Sequence, residues 1–300
     1  MAEGPITRFL NSYSEVVEFS GMRIPGKVLM PLTLALGFIA FAIMFFMLNL
    51  PIEGFLVLTI ILDIGLGLPY YLADKKSSAI AEALPDVLHH MGTTLKTGGT
   101  IEVALKEASR MNFGPITPNL KRMIIDIDEG KTFEQAFSDF ALKSRSELVK
   151  RAAVIIIAAK KSGGGLLDTL VAMSEDFRDL YHLEQERRSK TFTQFLFIVV
   201  AGILIAPAIF GLISFLVGVL LNVGGSMDAT GKATVAKFDM MFRAYLMIQG
   251  ALAMLGAVQI KEGNLSRAVI YIPVGMTVAY AMYFMGPMVF NSLVGGAFGA

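Results

Sequence analysis

Gly130-Lys131-Thr132 repeats the last three residues of a phosphate-binding loop, so nucleotide chemistry is the first possibility to test in this chain. Such a loop requires G-x-x-x-x-G-K-[ST] after a strand and at the start of a helix, where backbone N–H groups and the lysine surround phosphate oxygens. Ile125 stands where the first glycine belongs. Asp126, Asp128 and Glu129 fall inside the loop, where carboxylates repel phosphate. No β-rich segment precedes it, and the nucleotide reading fails. The same three acids suggest a hard cation such as Ca²⁺, but a helix splits them between faces, and a solvated helix end explains them better. Asp86 and His90 share one helix face beside His89, yet no further ligand accompanies them, so neither a metal nor a cofactor is expected. With no cysteine there is no thiolate zinc site and no cysteine nucleophile. No catalytic residue emerges from these motifs. One acid remains conspicuous: Asp63, in the apolar run LTIILDIGLGL.

The elements that position these residues belong to a membrane protein. Of the 300 residues 54% are hydrophobic and only 17% charged, well under the roughly 25% of soluble domains. Mean hydropathy is +0.62. A net charge of +1 gives no reason to expect nucleic acid. Apolar runs at about 28–48, 52–73, 192–221, 243–260 and 268–290 approach or exceed the roughly 20 residues that cross a bilayer as helix. Five transmembrane helices are therefore expected, the first two joined as a hairpin at Pro51 and Gly54. The third run is longer than one crossing needs, so it must tilt, project or bend at Pro207. The first 27 residues are mostly polar, which predicts no secretory signal peptide there. They form a cytoplasmic amphipathic segment with Ile6, Phe9, Leu10, Tyr13, Val16 and Val17 at helical spacing. Glu15 and Glu18 on its polar face suit docking on protein better than on anionic lipid.

Residues 74–190 hold 18 of the 26 Lys+Arg and 17 of the 25 Asp+Glu, and the segment 74–191 reads as an inserted cytoplasmic helical domain. Basic flanks at Arg8, Arg23, Lys27, Lys75, Lys76, Arg187, Arg188, Lys190, Lys261 and Arg267 fall on one side under a five-span topology. This places the N-terminus in the cytoplasm. An external loop at 222–237 and a Gly-rich external tail at 291–300 follow.

A repeat inside the insert explains the GKT triplet. Gly98-Gly99-Thr100-Ile101-Glu102 aligns with Gly130-Lys131-Thr132-Phe133-Glu134, and both align with Gly163-Gly164-Gly165-Leu166-Leu167. Offsets of 32 and 33 residues are those of stacked helical hairpins. Each glycine ends one helix in the left-handed conformation, and Thr100 or Thr132 caps the next, with Thr132 and Gln135 forming a capping box. Six helices are predicted, at about 79–97, 100–112, 116–129, 132–143, 146–162 and 165–191. In the last, Leu166, Leu170, Met173, Phe177 and Leu180 form the core stripe. No breaker separates this helix from the third span, which predicts one rod from 165 to about 206. Gly250, Ala253 and Ala257, and likewise Gly275 and Ala279, present small faces for close helix packing.

The sequence resembles the type II secretion F-domain family, the platform proteins of type II secretion, type IV pili, tight-adherence pili and archaeal surface filaments. The resembling residues are Leu84-Pro85-Asp86, Leu95-Lys96-Thr97-Gly98, the stretch Asp128-Glu129-Gly130-Lys131-Thr132-Phe133, and Lys161-Ser162-Gly163-Gly164-Gly165-Leu166. Repeat, span order and motifs together cover roughly 80–260. Lys160 and Lys161 depart from the family's frequent Gly-Glu at the last hairpin turn. The resemblance implies a non-enzymatic, all-α protein in the cytoplasmic membrane that couples a hexameric secretion ATPase to pilin-like subunits in the lipid bilayer. A single domain copy implies a homodimer or a paralogous heterodimer. Lys160, Lys161, Gly163, Asp128 and Glu129 then become candidate partner-binding residues. Asp63 becomes either pilin-facing, a partner of Arg243, or an inward acid that is hydrogen-bonded or protonated. A small-molecule transporter or a membrane-anchored receptor subunit is the alternative. Few polar residues in the spans and no inverted repeat count against the transporter.

Overall fold

The computed structural model describes residues 5–22, 24–163, 165–223, 229–263 and 265–298. It is all-α, with no strand among the described residues. The helices are α1 (Pro5–Ser20), α2 (Gly26–Phe46), α3 (Pro51–Leu62), α4 (Leu68–Lys96), α5 (Ile101–Arg110), α6 (Thr117–Asp128), α7 (Phe133–Lys143), α8 (Glu147–Ser162), α9 (Leu166–Val199), α10 (Ala206–Val223), α11 (Ala229–Glu262) and α12 (Leu265–Phe298). The chain forms two units: Met1–Tyr71 with Arg188–Ala300, and Leu72–Arg187.

Four stretches among the described residues are long and apolar enough to cross a membrane: Gly26–Phe46, Pro51–Lys96, Leu166–Leu220 and Lys237–Glu262. The fifth expected span, 268–290, lies within α12. Two π-helical turns interrupt the long helices, at Asp63–Gly67 and Val200–Ile205. Each ends two residues before a proline, Pro69 or Pro207. Proline lacks an N–H and crowds the carbonyl four residues upstream, and the wider turn absorbs both defects without ending the helix. The irregularity expected at Pro207 thus appears upstream of it.

Helix α1 lays Tyr13, Val16 and Val17 into the unit, where Tyr13 and Val17 pack with Leu29. Glu15 and Glu18, on the face expected to suit docking on protein, are exposed. Helices α11 and α12 cross where glycine backbones meet. A Cβ on Gly250 would lie 2.8 Å from the Gly275 carbonyl oxygen and 3.0 Å from Ala279 Cβ. The small faces do allow close packing.

The external loop expected at 222–237 is mostly helical at its described ends, with α10 reaching Val223 and α11 starting at Ala229. After Gly231 the run KATVAK holds no breaker and is rich in helix formers. The tail expected at 291–300 likewise continues α12 to Phe298. Arg23 and residues 224–228 lie outside the described residues, as do the side chains of Ile6, Arg8, Phe9, Lys232 and Arg267.

In the second unit the repeat is visible as helix punctuation. Gly98, Gly130 and Gly163 have φ of 89°, 102° and 71°, a region where a side chain is strained. Thr100 accepts from the Val103 N–H, and Thr132 with Gln135 forms the reciprocal capping box. Ile80, Leu84, Leu88 and Met91 of α4, Leu105 of α5, Leu120 and Met123 of α6, Phe137 of α7 and Ile156 of α8 are fully buried. In α9 the stripe holds at Leu170, Met173 and Phe177, but Leu180 is 53% exposed. The face that follows Phe177 continues one residue later at Tyr181, whose hydroxyl donates to Glu82 of α4 at 2.6 Å. Seven-residue steps drift on a helix of 3.6 residues per turn, and a polar partner at that level takes the position Leu180 was expected to fill.

Candidate functional site

Three helix ends of the second unit meet at Lys160. Its Nζ lies 3.1 Å from Glu102 Oε1 and 3.0 Å from Glu134 Oε1, and 4.7 Å from the centre of the Phe133 ring. Glu102 and Glu134 occupy the same place in two copies of the repeat, two residues after each capping threonine. Carboxylates there are favoured by the exposed N–H groups of the helix start. Lys160 is in the last turn of α8, where a cation is favoured for the converse reason. Burial draws the Lys160 ammonium down, but hydrogen bonds from it to Glu134 and Glu102 outweigh this and hold it above its ordinary value. For Glu134 the backbone N–H of its own helix start, then Lys160, keep the carboxyl below its usual range. Burial pushes Glu102 up, and its backbone N–H and Lys160 more than reverse that.

The same geometry brings the turns at Gly98, Gly130 and Gly163 to one end of the unit, because the helices that leave or enter them are joined at Lys160. Asp128, Glu129, Lys161 and Gly163 are exposed in these turns. Lys131, the lysine of the GKT triplet, points at carboxylates on both sides of its own hairpin: Asp139 at 2.8 Å and Asp126 at 3.5 Å. Its charge is spent within the protein, the opposite of a phosphate cradle. Asp86 likewise accepts from Arg178 at 2.8 Å, and His90 lies against Phe113.

In the first unit Asp63 does not pair with Arg243. Arg243 instead donates to Glu53 at 3.1 Å and to Asp239 at 2.5 Å, and stacks on Phe284. Asp63 and Arg243 had only apolar surroundings and opposite charge to connect them in sequence. Glu53, an acid one turn inside α3, satisfies the arginine first. Tyr280 donates to Glu53 and Tyr283 to Asp239, so one arginine ties α3, α11 and α12 through two carboxylates. Asp63 opens a π-helical turn and lines a cavity of about 470 Å³.

With these features in place, comparison with known proteins is decisive for one part of the chain. Residues 87–214 match the model of Type II secretion system (T2SS), protein F. These residues are a type II secretion F domain. An uncharacterized protein of Methanocaldococcus jannaschii is 25% identical over 116 residues, which is 39% of this chain and 19% of that protein. The chain therefore spans well under two thirds of that relative. No solved structure matches significantly.

The matched range contains the candidate partner-binding residues Asp128, Glu129, Lys160, Lys161 and Gly163 but not Asp86, and the turns that carry Asp128, Glu129, Lys161 and Gly163 come together at one end of the second unit. Lys160 is the exception in kind, since its ammonium is engaged by Glu102 and Glu134. Those two acids were missed as a pair, although the repeat alignment had already placed them in equivalent positions. Outside the F domain, Glu53, Asp239, Tyr280 and Tyr283 were missed. An acid so early in an apolar run was the signal for Glu53; the tyrosines carried none.

Proposed function

We propose that this chain is the cytoplasmic-membrane platform protein of a type II secretion or type IV pilus-like assembly machine. It passes the motion of a hexameric cytoplasmic secretion ATPase to pilin-like subunits held among its spans. The observation that carries this reading is the F domain at 87–214, which runs from soluble helices directly into an apolar stretch able to cross a membrane.

On this reading the N-terminus and residues 74–191 are cytoplasmic and the C-terminus is outside. The glycine-turn end of the F domain meets the ATPase through Lys161, Gly163, Asp128 and Glu129, with Lys160 holding the three helix ends in register. The chain works as a homodimer or with a paralogue. The test is affinity purification of the tagged full chain from its native membrane, followed by cross-linking mass spectrometry. Cross-links from Lys131, Lys150 or Lys161 to a hexameric ATPase are expected. Repeated preparations with neither ATPase nor pilin-like protein would overturn the platform reading.

A further inference from the structure

The cavity beside Asp63 sets a carboxyl group among mostly apolar walls, next to a stretch long and apolar enough to cross a membrane. Thr59, Leu62, Asp63, Tyr70, Ile270 and Pro273 line it, from α3, the π-helical turn, α4 and α12. Its volume of about 470 Å³ falls within the roughly 300–1,000 Å³ of small-molecule sites. Thr59, a second polar residue of the wall, has its hydroxyl committed to the Leu56 carbonyl at 2.8 Å.

Two observations mark the site as built around the acid. First, the π-helical turn places Asp63 over Gly67, where a Cβ would come within 2.3 Å of Asp63 Oδ1 and 3.1 Å of Ile270 Cγ1. Glycine at 67 lets the carboxyl take this position, and a side chain there would require it to turn aside. Second, no described residue gives Asp63 an ion pair or hydrogen bond. Arg243, the cation expected as its partner, is already held by Glu53 and Asp239. An acid in hydrocarbon without a partner is costly, and such groups normally face a partner or a pathway.

We propose that this cavity is a binding site for an amphiphile with an apolar body and a protonated amine head, the amine pairing with Asp63. Charge complementarity selects the head and the apolar walls select the body. A neutral lipid tail would fill the walls but leave the carboxyl unsatisfied. The inference does not rest on the platform reading; it concerns the first unit alone and holds or fails separately.

The test uses the full chain in detergent micelles, with native mass spectrometry to count retained ligand. Decylammonium is the probe and decanol its neutral counterpart. The wild-type chain is expected to retain one decylammonium and to retain decanol on the order of tenfold less, a difference of about 1.4 kcal/mol. Asp63→Asn should remove that preference. Ile270→Trp, which fills the cavity and leaves the carboxyl, should lower retention of both probes. Circular dichroism reports whether each variant folds, and if Asp63→Asn does not, Ile270→Trp and the decanol comparison decide. Equal retention of decanol and decylammonium by the wild type would overturn the proposal. So would undiminished decylammonium binding in folded Asp63→Asn or folded Ile270→Trp.

Discussion

Lys160 Nζ lies 3.0 Å from Glu134 Oε1, and the same ammonium reaches Glu102 at 3.1 Å, so one lysine at the end of α8 fastens the starts of α5 and α7. The side chains of Lys160 and Glu134 are 26% and 28% exposed, which leaves water and salt to screen the pair. Lys160→Met should therefore cost about 1 kcal/mol, as for a favourable surface network rather than a buried pair. Chemical denaturation of the full chain in detergent measures it. Hydrogen exchange should rise at the first turns of both α5 and α7, and a change confined to α8 would contradict the three-helix role.

The pH dependence of that contribution follows from the directions of the shifts. Glu134 and Glu102 titrate lower in the folded chain than their ordinary 4.5, so their stabilisation is present above that value and lost as pH falls through the folded values. Lys160 titrates above its ordinary 10.5, so its stabilisation is present below that value and lost as pH rises through the folded one. The stability difference between wild type and Lys160→Met should be flat near neutrality and shrink at both extremes. Paired denaturation series on the two proteins from acid to alkaline pH check this; a difference that persisted in strong acid would contradict it.

Lys131 makes a simpler prediction. Because Asp126 and Asp139 hold its ammonium, the purified chain should give no signal with a fluorescent ATP analogue, and Lys131→Ala should change nothing in that assay. Saturable binding lost in Lys131→Ala would restore the phosphate-loop reading.

Local punctuation was the most legible part of the fold. Gly98, Gly130 and Gly163 with their capping threonines mark helix boundaries because left-handed glycine and side-chain caps act over four or five residues. Apolar run length made the spans legible in the same way. Pairings across helices were not legible. Arg243 has two acids at different sequence distances, Glu53 and Asp63, and composition does not say which helix face each occupies. Leu180 illustrates the same limit within one helix: the apolar spacing was right through Phe177, but the neighbour that decides the next contact, Glu82, is about a hundred residues away. The π-helical turns at Asp63–Gly67 and Val200–Ile205 were visible only as prolines; the expectation of a bend at Pro207 named the cause and missed where it is absorbed.

Gly65 should tolerate no side chain. A Cβ there would lie 2.1 Å from Thr33 Cγ2, and the Gly65 carbonyl also accepts the Tyr13 hydroxyl. Gly65→Ala should destabilise the full chain by about 1–3 kcal/mol through overpacking. Thr33→Ala shortens the opposing side chain, so the double variant should recover part of the loss, measured as the coupling in a double-mutant cycle. Strict additivity of the two changes would mean that the clash is relieved elsewhere.

Arg243→Gln separates a structural cluster from an incidental contact. The substitution leaves Glu53 and Asp239 without their cation, while Tyr280 and Tyr283 still donate to them. Breaking a buried pair from one side typically costs about 3–5 kcal/mol, and partial exposure of Arg243 puts the expected loss near the lower figure. Glu53→Gln in the same chain removes one stranded charge and should recover part of that loss. The readout is thermal unfolding of the full chain in detergent, with the two single variants and the double variant side by side. Full recovery is not expected, because Asp239 still lacks its guanidinium partner. If Arg243→Gln unfolds at the wild-type temperature, the arginine is not what joins α3, α11 and α12, and the tyrosine hydrogen bonds carry that junction instead.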